Sequence, residues 1–342
     1  MAKFATALST IYEVDMKAGK LKESVLKRSV LKQLHTRREG VLEGPAVGGD
    51  FGAIAISEDK AVVMSSDPVT LTKDKIGCYG IYAACNDVAC SGAVPSGVSV
   101  TILLPTSYNE DELRGLMKDL DAACEVCGVE IISGHTEVTR VVKEPLVVVT
   151  AMGTVQIDTL LHSSKVRPGM DIVATKWIGL EGTAVLATEK ETVLRDRLSQ
   201  PFLDKAKLFQ QLMSIIPEAA VAVKSGASAM HDVSEGGIFG ALWELAESAG
   251  VGLEIDLKKI PIRQETVEIC EFLDINPYKL LSGGCLLIAT EDGNGLVMEL
   301  EKAQIPGVII GKATDSNDRV LINEDERRFL ETTQTDELYS ID

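Results

Sequence analysis

No stretch of this 342-residue chain approaches the roughly 20 consecutive apolar residues that a membrane-spanning helix needs. The longest apolar runs, such as Pro145-Leu146-Val147-Val148-Val149, have only the length of a strand, so no membrane association is expected. The opening residues Met1-Ala2-Lys3-Phe4 lead into no apolar run of leader length with a small-residue cleavage site, and a cytoplasmic location is the expectation. Basic residues are scarce: 34 Lys and Arg stand against 51 Asp and Glu, a net charge of −17. Such a field repels nucleic acid and anionic membranes, because phosphate binding requires local neutralisation by Lys or Arg. A small phosphorylated ligand is still compatible, held by helix N-termini and by a cation bridging carboxylates to phosphate.

Cysteines are few and odd in number: Cys78, Cys85, Cys90, Cys124, Cys127, Cys270 and Cys285, all within apolar stretches. That usage suits free buried thiols better than a disulfide framework. Two catalytic signatures are also missing. No Gly-X-Ser-X-Gly elbow of a Ser-His-Asp hydrolase occurs. His135-Thr136-Glu137 matches the His-X-Glu of zinc deaminases, but no Pro-Cys-X-X-Cys follows it. Cys124-X-X-Cys127 precedes it instead, lacks the proline and falls on a predicted helix, where apolar periodicity favours core packing over a redox role.

What is present is an alternation of helical and strand patterns. Leu21–Leu34 carries an apolar stripe at helical spacing, and the Gly-rich turn Gly44–Asp50 leads into strands Ala53–Ile56 and Ala61–Ser65. A helix of small residues over Gly77–Cys90, a strand at Val98–Leu104 and an amphipathic helix over Asn109–Cys127 follow. Strands Val129–Ile132 and Leu146–Val155 complete a first domain, residues 1–157. The polar stretch Asp158–Met170, with its Arg167-Pro168-Gly169 turn, marks the boundary to a second domain, residues 158–342. There the pattern gives strands at Asp171–Ala174, Ala227–Met230, Gly252–Ile255, Cys285–Thr290 and Val308–Ile310. It gives helices at Phe202–Val223, interrupted by Pro217, and at Gly237–Ala249, Glu265–Leu273 and Asn294–Ala303. Residues from Asn323 onward read as a polar surface tail. The fold class is α+β in two domains.

Five segments carry possible chemistry. In Gly48-Gly49-Asp50-Phe51-Gly52, glycines allow close backbone approach to a phosphate and Asp50 can hold a metal, although a plain turn explains the same residues. Asp67 follows an apolar strand, as a turn former or a ligand. Asn86-Asp87 put an amide and a carboxylate inside an apolar helix, which is costly without partners. Ser133-Gly134-His135-Thr136-Glu137 is expected directly after a strand, at a common ligand position. In His231-Asp232-Val233-Ser234-Glu235-Gly236-Gly237, Ser234 and Glu235 can cap the next helix while the glycines expose its N–H groups to an anion.

In combination these motifs, in this order and spacing, resemble the aminoimidazole-ribonucleotide-synthetase (AIR synthase)-related superfamily. That group includes selenophosphate synthetase, thiamine-monophosphate kinase and the hydrogenase-maturation carbamoyl dehydratase. Ile76–Pro95, Asp232–Ile255 and Leu281-Ser282-Gly283-Gly284-Cys285-Leu286 look most like the hydrogenase-maturation branch, and the resemblance runs from about Gly19 to Ile322. It implies an N-terminal α+β domain that pairs with a partner's across a dimer-spanning barrel, and a C-terminal α+β domain. It implies ATP with Mg²⁺, a homodimer, and phosphoryl transfer to an oxygen of a small-molecule or protein substrate. Carried over by motif, Asp50, Asp67, Asp87 and residue 135 would be metal ligands, with Asp50 and Asp87 catalytic. Gly49, Asn86, Gly134 and Thr136 would line the phosphates, and Asp232, Gly236 and Gly237 would close the cleft.

Three departures qualify what the resemblance implies. Phe51 stands where the maturation and kinase-like branches have a second acid. His135 stands where the family has an acid, and imidazole is a poor partner for Mg²⁺. Glu137 is a possible substitute, with its side chain expected to point elsewhere if the strand continues. The maturation enzyme uses a C-terminal cysteine, whereas this sequence ends Asp336-Glu337-Leu338-Tyr339-Ser340-Ile341-Asp342 and its last cysteine is Cys285. The self-thiol reaction is therefore not expected. A non-catalytic nucleotide-binding or assembly protein is the alternative reading.

Overall fold

The computed structural model describes residues 18–332 and 335–341, so the opening residues Met1–Phe4 and the final Asp342 lie outside the described part. The first sheet comprises β1 (Val41–Glu43), β2 (Gly52–Ala55), β3 (Lys60–Pro68), β4 (Val94–Leu104), β5 (Glu130–Val138) and β6 (Leu146–Gln156). Their order across the sheet is β1-β2-β3-β6-β4-β5. All neighbours are antiparallel except β4 and β5, which run parallel.

Alternation decides which face is covered. Ala61 and Val63 of β3, Val98, Val100 and Ile102 of β4, and Val147, Val149 and Ala151 of β6 are buried. Helices Ile76–Cys90 and Glu110–Cys127 pack on that face, contributing Ile81, Ala84, Val88, Leu116 and Leu120 to the same core. The second helix starts with a capping box in which Asn109 accepts from Asp111 and Glu112 N–H while Glu112 accepts from Asn109 N–H, a device worth about 1 kcal/mol. The first helix lies unusually close to the sheet. A Cβ at Gly80 would sit 2.9 Å from a Val149 methyl, and one at Gly77 would sit 2.9 Å from Leu120. The small residues of this helix therefore let it pack closely on β6 and on the neighbouring helix.

The second sheet adds β7 (Asp171–Thr175), β8 (Ala229–Val233), β9 (Gly252–Asp256), β10 (Cys285–Thr290), β11 (Gly307–Thr314), β12 (Arg319–Asn323) and β13 (Glu326–Phe329). Their order is β13-β12-β9-β11-β7-β10-β8. β8 is an edge strand, yet all five of its residues are buried. Helix Gly237–Ala249 lies against it, as does helix Ile76–Cys90 of the first domain. Ala89, Cys90 and Leu161 share a core with Val173, Ile215, Met230 and Leu286, so the two sheets meet through a packed apolar interface. The connecting residues 157–170 join in, with Leu160 and Val166 buried.

Several elements differ from the sequence reading. β5 continues through Val138, so the Ser133–Glu137 segment lies within a strand rather than after one. β8 likewise runs to Val233 and takes His231 and Asp232 into the sheet. Pro217 starts helix Ile216–Lys224 at its first turn, where the missing N–H costs nothing, and the interruption falls at residues 213–215 instead. The polar tail is a built segment. β13 pairs with β12, Leu330 and Asp336 are buried, and Leu338 packs beside Leu186 and Leu280. Isolated apolar residues at wide spacing anchor this segment, a pattern too sparse to register as periodicity.

Candidate functional site

The close helix-to-sheet approach brings Asp87 onto β3. Ser65 and Asp67 project to the helix-covered face two residues apart, and the Ser65 hydroxyl lies 2.6 Å from Asp87 Oδ2 and 2.9 Å from Asp67 Oδ2. Asp50 enters from the Gly-rich turn. That turn presses on the second domain, where a Cβ at Gly48 would fall 2.4 Å from the Glu244 carbonyl oxygen. β8 presents His231 and Asp232 from the other side. One donor atom each from Asp50, His231 and Asp232 lies within 4.8 Å of the others, the one such metal-competent group among the described residues.

Asp67 and Asp87, joined through Ser65, thus stand near Asp50 and Asp232, whose charges act on Asp87. Burial pushes the Asp87 carboxyl well above its ordinary range, and the charges of Asp232, Asp67 and Asp50 push it further. Burial raises Asp232 to about 7, with Asp50 adding to the shift and His231 and Lys20 opposing it. Two cations answer this charge. His231 Nδ1 is 2.7 Å from Asp50 Oδ2 and its Nε2 is 3.4 Å from Glu244 Oε2, an ion-pair distance. Burial opposes the imidazolium, but Asp50 and Glu244 outweigh it and raise the group to about 10. Lys20 places Nζ 3.3 Å from Glu244 while its backbone N–H donates to Glu235 Oε1 at 2.9 Å. A cavity of about 660 Å³ opens beside them, between residues 20–27, the Gly-rich turn and the Gly240–Glu244 face of helix Gly237–Ala249, with Asp50 in its wall.

The expected site residues divide into two groups. Asp50, Asp67, Asp87 and Asp232 come together, and Gly49 lies in the turn beside Asp50. Gly134, His135 and Thr136 do not reach them within one chain. β5 is three strands from β3, a span of roughly 14 Å at about 4.8 Å per strand. His135 is 64% exposed there and its Nε2 lies 3.0 Å from Glu137 Oε2. The two side chains share a face because the strand continues, contrary to the expectation that Glu137 points elsewhere. Asn86 turns its amide away from the acids, donating to the Met213 carbonyl (2.9 Å) and accepting from Ile215 N–H (3.0 Å).

The N–H groups of Gly236 and Gly237 are already used, by Asp336 Oδ2 at 2.8 Å and by the Ser234 carbonyl at 3.1 Å. Asp336, a hundred residues downstream, takes the N–H of Gly236 just before the following helix, and Ser234 takes the first helical N–H through its carbonyl, not its side chain. Glu235 instead holds Lys20. The sequence alone gives no reason to single out Lys20, Ser65 or Glu244, and it gives His231 only as a neighbour of Asp232 in the fifth segment. Lys20 follows Gly19 with nothing to tie it to residues two hundred positions away.

Comparison with known proteins agrees with this architecture. The family profile described as AIR synthase related protein, N-terminal domain, matches residues 48–155, and its C-terminal domain profile matches residues 167–323. A hydrogenase expression/formation protein of Methanocaldococcus jannaschii is 25% identical over 320 residues, 89% of this chain and 91% of that protein. A carbamoyl dehydratase HypE of Cupriavidus necator is 24% identical over 293 residues, 83% of this chain and 79% of that protein. Among solved structures, hydrogenase maturation protein HypE in complex with ATP superposes with a TM-score of 0.67 at 18% identity, covering 92% of this chain and 96% of that one. Thiamine-monophosphate kinase of Aquifex aeolicus gives 0.66 at 19% identity, covering 87% and 96%. Both likenesses establish the two-domain fold. No described helix is long and apolar enough to cross a membrane.

Proposed function

This chain belongs to the AIR synthase-related family, and on that premise we propose that it is an ATP-dependent, Mg²⁺-requiring enzyme that transfers a phosphoryl group to an oxygen of a small molecule or amide. One observation carries the reading: Asp50, His231 and Asp232 bring donor atoms from both domains within 4.8 Å of one another, and Ser65 joins Asp67 to Asp87 near them. Carboxylates so crowded are stable when ionised only with added positive charge, and hard divalent cations supply it through oxygen ligands. Asp50, Asp67 and Asp87 would hold such a cation beside the phosphates of ATP, where it would supply neutralisation of charge on the transferred group. His231 of the second domain then orients Asp50, and Lys20 of the first orients Glu244.

The receiving oxygen is external to the chain in this reading. Cys285 is fully buried in β10 with its thiol pushed up to about 12 by burial, so it is no candidate acceptor. The 660 Å³ cavity, with Asp50 in its wall, offers the space for a second substrate. A homodimer is part of the proposal. The face of the first sheet opposite its helices leaves Ile54 and Met64 exposed, and the β5 edge leaves Ile132 and Val138 exposed. A second copy covering that face would carry its own Gly134-His135-Thr136 toward the site of the first.

His135 favours a second reading, nucleotide binding without turnover, because a histidine stands where the family has an acid. Phosphate release from Mg·ATP, alone and against a metabolite panel, separates the two. Turnover that falls about 100-fold or more in Asp87→Asn supports the enzyme. Tight ATP binding with no turnover under any condition overturns it. Gain of ATPase activity in His135→Asp would identify residue 135 as the altered ligand position.

A further inference from the structure

Asn86 is buried, and both ends of its amide are spent on residues more than a hundred positions away, Met213 and Ile215 of the second domain. The segment it grips is gripped again from the opposite side. Lys176, directly after β7, donates through Nζ to the Leu212 carbonyl at 2.8 Å and the Ser214 carbonyl at 2.7 Å, and pairs with Glu218 at 2.7 Å. All three ammonium donors of this buried lysine are thereby used. Its backbone lies at φ +52°, a left-handed conformation that a side chain-bearing residue adopts at a cost. A buried cation on strained backbone is retained only where surrounding structure imposes it. Here residues 212–215 are held at four consecutive positions, alternately by the second domain and the first.

We propose that Asn86 is a positioning residue: through residues 212–215 and Lys176 it sets the spacing between Asp87 of the first domain and Asp232 of the second, and so the affinity of the acidic site for a divalent cation. The route is short and rigid. Asn86 is the chain neighbour of Asp87. Lys176 extends β7, β7 pairs with β10, and β10 pairs with β8 at Leu286 and Asp232. Thr175, next to Lys176, accepts from Leu286 N–H at 3.1 Å and ties that route together. A carboxylate pair that must share one cation tolerates little change in separation, and loss of supporting hydrogen bonds around metal ligands costs about 10- to 100-fold in metal affinity. The inference rests on the metal-dependent reading above, although the domain spacing itself can be measured without any ligand.

The test uses Asn86→Ala together with Asn86→Asp, which keeps the acceptor for Ile215 N–H and loses the donor to Met213. Mn²⁺ binding is followed by electron paramagnetic resonance. Domain spacing is measured between nitroxides at Val126→Cys and Met298→Cys in a Cys78→Ser background, both labelled positions being well exposed. Ile310→Ala in the second core serves as a control of comparable destabilisation. The expected result is a shifted or broadened distance in both Asn86 variants, a Mn²⁺ affinity about 10- to 100-fold weaker, and a control that changes neither. A distance distribution superimposable on wild type, or Mn²⁺ affinity within twofold of wild type, overturns the proposal. Wild-type protein that binds no Mn²⁺ would defeat the functional reading, while the distance measurement would still decide whether Asn86 sets the spacing.

Discussion

His231 Nδ1 and Asp50 Oδ2 stand 2.7 Å apart, one residue from each domain, so the two sheets are tied by a charged hydrogen bond within the site itself. Replacing His231 with leucine would leave Asp50 and Glu244 enclosed without their shared cation, at a cost of roughly 3–5 kcal/mol. Urea unfolding should show that loss, and millimolar Mg²⁺ should return part of it by binding the folded state. The imidazole is raised from 6.5 to about 10 against the opposing effect of burial. Its stabilising contribution is therefore fully present below pH 6.5 and lost as pH rises through about 10.

An acid limb is expected from Glu247. Hydrogen bonds from Arg319 and Lys27 lower its carboxyl from 4.5 to about 2, and Arg319 also lies 3.9 Å over the Trp243 ring. A depressed folded-state value gives stability that is present above pH 4.5 and lost as pH falls toward 2. Unfolding midpoints between pH 6 and pH 2 should fall less steeply in Glu247→Gln than in wild type.

Asp336, late in the chain, accepts from the buried Gly236 N–H at the entrance of helix Gly237–Ala249. Asp336→Ala should cost about 1–3 kcal/mol, since it orphans a buried N–H, whereas Asp336→Asn keeps an acceptor and should cost less. Thermal unfolding checks both. A midpoint unchanged in the alanine variant would mean that the C-terminal segment is not part of the fold.

Gly48 has φ +68° and no room for a side chain against Glu244. Gly48→Ala should therefore lose about 2 kcal/mol or more, and because Asp50 is two residues away it should also weaken metal binding. Melting and Mn²⁺ titration measure the two effects separately.

Much of the fold was legible because its signals are local. The apolar run that opens β6, the amphipathic pattern of helix Glu110–Cys127 and the apolar pattern of helix Gly237–Ala249 all lie within one element. The family motifs point to Asp50, Asp67 and Asp87 as one group and to Asp232 as a contact from the second domain, and in the fold the charges of Asp50, Asp67 and Asp232 all act on Asp87. What escaped depends on distance in sequence. Nothing near Asn86 signals Met213, and nothing near Gly236 signals Asp336. Gly134 and His135 read as a loop because glycine and polar residues break the strand pattern. Hydrogen bonding to β4 nevertheless carries β5 through them, and the exposed edge tolerates their polarity.

Aspartates that hold nucleotide through a divalent cation make ATP binding depend on that cation. Calorimetric titration of ATP into the protein, with Mg²⁺ and separately in excess EDTA, measures this dependence. Binding should require Mg²⁺ and should weaken about tenfold or more in Asp87→Asn. Equal ATP affinity in EDTA, or wild-type affinity in Asp87→Asn, would contradict it.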